Sequence, residues 1–420
     1  MTPRVRRLVA VVTLILALAV VAVLTLRAFG VPLALGPASP TAVPSPSSTP
    51  GPTGSVSPSI DDVLAALEAD TADIRDLPRA DIGPAEFISR EELERRLADA
   101  FAEEYSEEEL AAENALYHAL GLLAPAQDIA ALRLQLLSSQ VIGYYDDTTQ
   151  TMVVVADAGL SPETEVVYVH EYVHALQDAA FGMDSLDLEA VGDDDRAFAR
   201  VSLLEGDATT AMVLWAYDNL TAQEILGISQ TPLPDTTGVP AWMVNQLGFP
   251  YLEGTDFAAQ LYQRGGFAAV DEAWADPPLS TEQVIHFEAY VENEEPIDVA
   301  GLGASAPDLD IVLESTFGEA MIGIWIGALG VSEQDADVAS AGWGGDRITV
   351  LVSTTSEDIA VVLRSVWDTP LDATEFAEAH ADALDRLDLF ASLQQLSDTE
   401  TLVVQGTSQE LLDALAGSAD

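Results

Sequence analysis

Two histidines and a glutamate stand close together in the segment His170-Glu171-Tyr172-Val173-His174. The segment fits the pattern His-Glu-x-x-His, in which histidines four residues apart share one face of a helix and can bind the same zinc ion. Glu171 follows the first histidine and would accept a proton from an attacking water. Because valines make the surrounding helix nearly all apolar, these polar side chains would be buried and would need a shared partner such as a metal ion. The pattern predicts His170 and His174 as zinc ligands and Glu171 as a general base.

Catalytic zinc needs a third protein ligand and one open position. Glu205 is the candidate, because it lies in an apolar helical stretch and is followed by Gly206, which permits a close backbone approach. Small residues follow at Ala208 and Ala211. The alternative, in so acidic a chain, is a glutamate that is turned to solvent.

His286 is a second candidate catalytic residue. It ends the segment STEQVIH, in which Ser280 or Thr281 can cap a short helix, so a purely structural role is the alternative. If His286 lines the cleft, it would donate a hydrogen bond to the oxyanion that forms on a scissile carbonyl, and Tyr290 is a weaker candidate for the same task.

Four other polar residues have expected roles inside or outside this site. A histidine ligand usually gives its second ring proton to a carboxylate or carbonyl, and Asp178 and Asp207 are the candidate acceptors, with surface charge as the alternative. His118 is expected to be a packed or half-exposed helical residue, and His380 an exposed one.

The elements that must position these residues have clear sequence signals. Ser161-Pro162 and Phe181-Gly182 predict the start and end of a long helix that carries the two histidines. A further helix is predicted from Asp193–Asp195 to about Tyr217 and would carry Glu205. Upstream, residues 141–146 and 151–157 flank a polar turn and predict a β-hairpin.

The C-terminal third is predicted to alternate helix and strand. Residues 309–329 favour a helix, 347–353 a strand and 356–367 a second helix. A strand at 402–406 and a final helix complete this pattern, which we expect to pack on the rest of the chain.

Composition limits the classes of partner. The chain has 70 acidic and 16 basic residues, and its net charge of -54 would repel nucleic acid. The absence of cysteine excludes disulfide scaffolds, thiol catalysis and cysteine-based metal sites. A hydrophobic fraction of 49% is ample for a large core.

The N-terminus differs from the rest of the chain. An apolar run at residues 8–26 would span roughly 28 Å as a helix, about the thickness of a bilayer core, and three arginines precede it while one follows. This predicts a single-pass anchor at the cell membrane with the body outside the cytoplasm; a cleaved signal peptide is the alternative. Residues 37–59 are rich in proline, serine and threonine and predict an extended linker. The predicted domains are an anchor at 1–30, a linker at 31–59, a catalytic domain at 60–304 and an α+β extension at 305–420.

The segments VHEYVHALQD and LLEGDA resemble the gluzincin branch of the zinc metallopeptidases. In that group, one helix carries His-Glu-x-x-His and a second helix carries the third-ligand glutamate. The resemblance also implies an edge strand beside the cleft, to which peptide substrates bind by strand addition, and the predicted hairpin can supply it.

Over about residues 130–370, the chain resembles an uncharacterised family of membrane-anchored bacterial and haloarchaeal surface proteins that are predicted metallopeptidases. The shared segments read Tyr144–Asp146, His170–Asp178, Glu205–Ala208, Pro277–His286 and Trp343–Arg347. One departure follows His286, where this chain has Phe287-Glu288-Ala289-Tyr290 and relatives tend to have proline and a basic residue. A basic substrate contact is therefore not expected there.

The expected fold class is α+β and mainly helical, with a zincin-like catalytic core, an edge β-hairpin and an α+β C-terminal part. The expected function is zinc-dependent hydrolysis of peptide or protein substrates, with Zn²⁺ as the cofactor. A zinc hydrolase of non-peptide amides or esters and a non-catalytic binding protein with a structural zinc site are the alternatives. The sequence does not specify an oligomeric state.

Overall fold

The computed structural model describes residues 59–141, 143–155, 160–188, 192–230, 235–302, 308–384 and 390–416. The predicted anchor at 1–30 and nearly all of the predicted linker at 31–59 lie outside these residues. The described chain is mixed α+β and mainly helical, as expected.

Helices dominate the described residues between 59 and 302. Their bounds are α1 (Ile60–Arg75), α2 (Arg90–Glu104), α3 (Glu107–Ala119), α4 (Ile129–Gln140), α5 (Pro162–Phe181), α6 (Asp194–Asn219), α7 (Ala222–Ser229), α8 (Ala241–Gly265), α9 (Phe267–Ala275), α10 (Thr281–Ile285) and α11 (Phe287–Glu292). Ser89 and Ser106 cap α2 and α3, because their side chains accept hydrogen bonds from the backbone N–H groups of Glu92 and Glu109.

A small sheet packs against α5. Its strands are β1 (Glu86–Ile88), β2 (Gly143–Asp146) and β3 (Thr151–Val155), in the order β1-β3-β2. β1 is parallel to β3, and β2 is antiparallel to it, so the predicted hairpin is confirmed with somewhat shorter strands. β2 forms an edge of this sheet among the described residues.

The helices α5 and α6 begin and end where the sequence predicts. The Ser161 side chain accepts a hydrogen bond from the Thr164 N–H, Pro162 opens α5, and Gly182 ends it with φ 75°. Asp193 caps α6 in the same way through the N–H of Arg196. These caps fix the register of the two segments that carry the candidate site.

Glycines allow α6 and α8 to cross at backbone contact distance. A Cβ atom at Gly206 would lie 2.0 Å from the carbonyl oxygen of Gly254, and one at Gly254 would lie 2.2 Å from that of Ser202. The close approach expected at Gly206 is therefore present. It brings α8 against the segment of α6 that contains Glu205.

A second sheet organises the C-terminal third. The antiparallel strands β4 (Leu309–Ser315), β5 (Trp343–Ser353), β6 (Ile359–Trp367), β7 (Phe390–Gln395) and β8 (Glu400–Gly406) lie in the order β4-β5-β6-β8-β7. The helices here are α12 (Gly318–Ala328), α13 (Glu333–Ser340), α14 (Pro370–Leu384) and α15 (Gln409–Ala416).

Two helices predicted in this third are wrong. The predicted helix 309–329 is strand β4 followed by the shorter helix α12, and the predicted helix 356–367 contains strand β6. β6 is a central strand whose two faces are both buried, with Val361 in one core and Val362 in another. A strand buried on both faces gives a continuous apolar run, and its periodicity cannot be told from that of a buried helix.

The largest core joins the C-terminal sheet to helices from the first half of the chain. Leu120, which follows α3, and Leu132 of α4 share it with Trp325, Val361 and Val403. Hydrogen bonds cross the same boundary: Gln405 Nε2 donates to the Ala119 carbonyl at 2.9 Å, and Trp325 Nε1 donates to that of Leu120 at 3.0 Å. The C-terminal sheet therefore packs on α3 and α4 through a continuous apolar interior.

The predicted single-pass membrane localisation requires correction. None of the helices in the described part of the chain is both long enough and apolar enough to cross a bilayer. The longest, α6, begins with Asp194-Asp195-Arg196 and carries Glu205 and Asp207 in its middle. Residues 8–26, on which the anchor prediction rests, lie outside the described residues.

Candidate metal centre

Three side chains from α5 and α6 meet in the interior. His170 Nε2 lies 3.1 Å from Glu205 Oε2 and 3.1 Å from His174 Nε2, while His174 Nε2 lies 3.4 Å from Glu205 Oε2. Each of the three residues is 1% exposed. The structure thus brings together the residues that the sequence predicts as metal ligands.

The spacing of these atoms fits a small divalent ion. Three ligand atoms of a tetrahedral ion bound at about 2.0–2.1 Å lie about 3.3 Å from one another, which is the spacing seen here. Hydrogen bonds do not saturate the group, because His170 Nδ1 and Glu205 Oε1 are buried without a partner among the described residues. Two imidazoles and one carboxylate form a donor set that is typical of zinc.

The electrostatics of the group favour a cation beside Glu205. Burial lowers the pKa of His170. Burial also acts against ionisation of His174, but Glu205, Glu171 and Gln177 together outweigh it and raise the pKa of this imidazole to about 9. For Glu205 itself, burial favours the neutral acid, whereas the two histidines together hold its pKa below the usual value. The carboxylate is therefore kept charged in an apolar interior, which requires a positive partner.

Gln177 orients one of the two imidazoles. His174 Nδ1 lies 2.7 Å from Gln177 Oε1 and donates its proton there, which leaves Nε2 free to face Glu205 and His170. The Gln177 amide in turn donates to Asp207 Oδ2 at 2.9 Å and to the Leu204 carbonyl at 3.1 Å. Gln177 therefore fixes the His174 ring against α6.

Asp207 anchors this network to the buried Arg75. Arg75 Nε donates to Asp207 Oδ1 at 2.7 Å, and Trp274 Nε1 donates to Oδ2 at 3.1 Å. Asp207 thus supports His174 through Gln177 and not by direct contact. Asp178, the other predicted acceptor, instead accepts a hydrogen bond from the Tyr145 hydroxyl at 3.1 Å.

Glu171 lies beside the three candidate ligands and is fully buried. Its Oε2 accepts a hydrogen bond from the Tyr145 N–H at 3.0 Å, and its Oε1 has no partner among the described residues. Burial is the main cause that raises the pKa of Glu171 to about 8, and the Glu205 charge adds to it. A carboxylate with one oxygen held and one oxygen open is suited to accept a proton.

Tyr251 of α8 is a site residue that sequence reasoning misses. Its ring centroid lies 6.1 Å from that of His170, and its hydroxyl interacts with the Glu205 carboxylate. Burial and then the Glu205 and Glu171 charges raise the pKa of Tyr251 well above its usual value, so it is a neutral hydroxyl donor. Tyr251 precedes Gly254 by one helical turn, and the close glycine crossing places it against α6.

His286 is not part of the group formed by His170, His174 and Glu205. It ends α10, where its Nε2 lies 2.8 Å from Glu319 Oε1, and this contact is the main cause that raises its pKa. Tyr290 donates its hydroxyl proton to the Asp276 carbonyl at 2.9 Å. An oxyanion role for His286 stays a prediction.

The two remaining histidines lie apart from the candidate centre. His118 is half-buried, with Nδ1 3.2 Å from the Leu123 carbonyl oxygen, as expected. The prediction that His380 is exposed is wrong. His380 is fully buried, because α14 packs its ring between Trp325 and Phe376.

Comparison with family models gives a match in the C-terminal sheet. Residues 310–416 match a family described as a domain of unknown function (DUF8575), which covers about a quarter of the chain and contains none of the candidate ligands. No curated protein matches the chain. No solved structure matches it either.

Proposed function

We propose that this protein is a zinc-dependent hydrolase that cleaves peptide bonds. The observation that carries the proposal is the triangle of His170, His174 and Glu205 atoms, 3.1 to 3.4 Å apart, with the open oxygen of Glu171 beside it. The resemblance to gluzincins supports the same assignment, since the three ligands come from two helices in the order typical of that group.

Each residue of the site would have one role in the reaction. His170, His174 and Glu205 would hold Zn²⁺, which when bound polarises a carbonyl and makes water a better nucleophile. Glu171 would accept the proton of the attacking water at Oε1 and pass it to the leaving nitrogen. The Tyr145 N–H would keep the other oxygen of Glu171 in place during both transfers.

The position of β2 supports a peptide as the substrate. β2 is an edge strand of its sheet in the described part of the chain, and its Tyr145 N–H already contacts Glu171. An extended peptide that pairs with this edge would run past the general base, as in recognition by strand addition. The net charge of -54 would favour neutral or basic peptides over acidic ones.

A structural metal site is a second candidate function, and the burial of the centre favours it. His170, Glu171, His174 and Glu205 are each at most 1% exposed. Structural zinc sites are closed to solvent and stabilise the fold, whereas catalytic sites keep a position open to water or substrate.

One experiment separates these functions. The full chain, loaded with one zinc ion, is incubated with a diverse peptide mixture, and the products are read by mass spectrometry. We expect cleavage by the wild type, no cleavage by Glu171→Gln with its zinc retained, and wild-type cleavage by Glu163→Gln. Glu163 is the matched control because it lies on the same helix but in its first turn, away from the cluster.

The other outcomes would each contradict peptide hydrolysis. Tightly held zinc without cleavage of any peptide would leave the structural site as the function. Hydrolysis of activated esters or small amides, but not of peptides, would assign a different substrate class to the same residues.

A further inference from the structure

A second group of carboxylates comes together away from the histidines, at the junction with the C-terminal sheet. Glu282 of α10, Glu294 after α11 and Asp368 after β6 have carboxylate oxygens within 4.8 Å of one another. The backbone fixes their segments, because Gln283 Nε2 donates to the Glu294 carbonyl at 2.7 Å and the Asp368 N–H donates to that of Gly342 at 2.8 Å. The fold itself therefore holds three carboxyl groups together.

The buried member of this group lacks any compensating partner. Glu282 is 4% exposed, and no hydrogen bond or ion pair reaches its carboxylate from the described residues. Burial raises the pKa of Glu282 to about 9, and the Glu319, Asp368 and Glu294 charges add to this effect. A carboxylate that is buried among other carboxylates is costly unless a cation joins them.

The neighbouring Glu319 is also a buried carboxylate with too few hydrogen-bond partners. It is 2% exposed, and its Oε2 is buried without a partner among the described residues, while its Oε1 contacts His286. His286 supplies at most one positive charge to a group of four carboxylates. The unpartnered buried Oε2 of Glu319 is a second indication, beside the buried Glu282 side chain, that the location is organised for a cation.

We propose that Glu282, Glu294 and Asp368 bind a calcium ion. A set of oxygen ligands without nitrogen or sulfur favours a hard cation, and Ca²⁺ takes 6–8 oxygen atoms at roughly 2.3–2.6 Å, so that opposite ligands lie about 5 Å apart. The three oxygens already satisfy that limit. Glu294 and Asp368 are exposed, so water can complete the coordination on their side.

The ion would connect the C-terminal sheet to the helix that carries Glu205. Asp368 ends a strand of that sheet, whereas Glu282 follows Thr281, whose N–H donates to Asp195 Oδ2 at 3.1 Å in the first turn of α6. Binding would thus stabilise the junction between the two parts of the chain. The proposal does not depend on peptidase activity.

Direct binding and thermal melting test this proposal on the full chain, freed of metal and kept in 0.2 M NaCl to screen the acidic surface. The variants are Glu294→Gln/Asp368→Asn, which changes two exposed ligands and should fold, and the matched control Glu357→Gln/Glu378→Gln. Glu357 and Glu378 are exposed acids without a hydrogen bond or ion pair among the described residues. Terbium, excited through Trp367 next to Asp368, gives a local optical signal for a calcium-type site.

We expect one Ca²⁺ per wild-type chain and a melting temperature that rises by several degrees. The ligand variant should bind at least 30-fold more weakly and lose both the shift and the terbium signal, while the control keeps them. The proposal is overturned if both double variants respond to Ca²⁺ like the wild type, because the effect would then be general screening. It is also overturned if no stoichiometric binding occurs, or if Mg²⁺ displaces terbium as well as Ca²⁺ does.

Discussion

At the scale of single residues, Gln177 links the candidate metal ligands to the buried Asp207 and Arg75. Replacement of Gln177 by leucine would leave the His174 Nδ1 proton without its acceptor and would free the ring to turn. Loss of a residue that orients a metal ligand typically weakens metal binding by about 10- to 100-fold. We expect a loss of this size in zinc affinity, measured by competition with a chromogenic chelator.

The matched control for this variant is Gln263→Leu, because Gln263 is an exposed glutamine on α8. It should bind zinc like the wild type. Equal zinc affinity in Gln177→Leu and Gln263→Leu would contradict the orienting role of Gln177.

Glu104 gives a prediction for the pH dependence of stability. It is 6% exposed, its Oε1 lacks a partner in the described part of the chain, and burial raises its pKa to about 8. Because the folded state then binds the proton more tightly than the unfolded chain does, this group's contribution to stability is present below about pH 4.5 and is lost as the pH rises to about 8. We expect Glu104→Gln to match the wild type at pH 5 and to melt several degrees higher at pH 8.5.

The neighbouring Glu103 supplies the control, since it is exposed on the same turn of α2. Glu103→Gln removes the same charge without changing the interior. A gain of the same size in both variants would mean that Glu104 acts only through net charge.

At the scale of elements, the glycine crossing of α6 and α8 sets the distance between Glu205 and Tyr251. In Gly206→Ala, the new methyl group would lie 2.0 Å from the Gly254 carbonyl oxygen, so the two helices must separate. We expect a loss of about 3 kcal/mol in the free energy of unfolding, measured by urea titration, since overpacking against backbone cannot be relieved by rotation of a side chain.

A second glycine, Gly227, provides the control, because a new methyl group there would meet no neighbouring atom. A Cβ atom at Gly227 of α7 would have nothing within 4 Å. Gly227→Ala should therefore stabilise the protein by up to about 1 kcal/mol through helix propensity alone. A similar loss in both variants would show that the crossing is not the cause.

The elements also show which features a sequence can predict. α5 was predictable because Ser161, Pro162 and Gly182 act locally, within one turn of the helix ends. β6 was not, because its identity depends on pairing with β8, about forty residues later, and on burial of both faces. The predictions that were wrong concern elements whose structure is decided by partners distant in the sequence.

The same distinction holds in the candidate site. The spacing of His170 and His174 follows from helix geometry, and Glu205 stands out as an acid in an apolar helix. Tyr251 has no fixed spacing from either histidine, and its place depends on how α8 crosses α6. Gln177 follows His174 closely in the sequence, but only the packing of α6 decides which ring nitrogen it contacts.

At the scale of the whole molecule, the acidic charge predicts a response to salt. Residues 61–420 contain all 70 acidic residues and 12 of the 16 arginines, so that part of the chain repels itself strongly. Between 0.1 and 1 M salt, the screening length falls from about 10 to about 3 Å. We expect the melting temperature to rise by several degrees in NaCl over this range.

Sucrose at matched osmolality is the control for solvent effects that do not involve charge. It should give a smaller shift than NaCl. A melting temperature that does not change with NaCl would show that the surface charges are already compensated in the folded state.

The hydrogen bond between Gln405 and the Ala119 carbonyl joins residues 286 positions apart. A ribosome that adds about 5–20 residues per second needs roughly 15–60 s to make that interval. During this time the apolar faces of α3 and α4 are not yet covered by the C-terminal strands. The nascent chain should therefore depend on a chaperone that binds its exposed apolar surface. A chain truncated after residue 304 should be prone to aggregation and should be degraded in the cell.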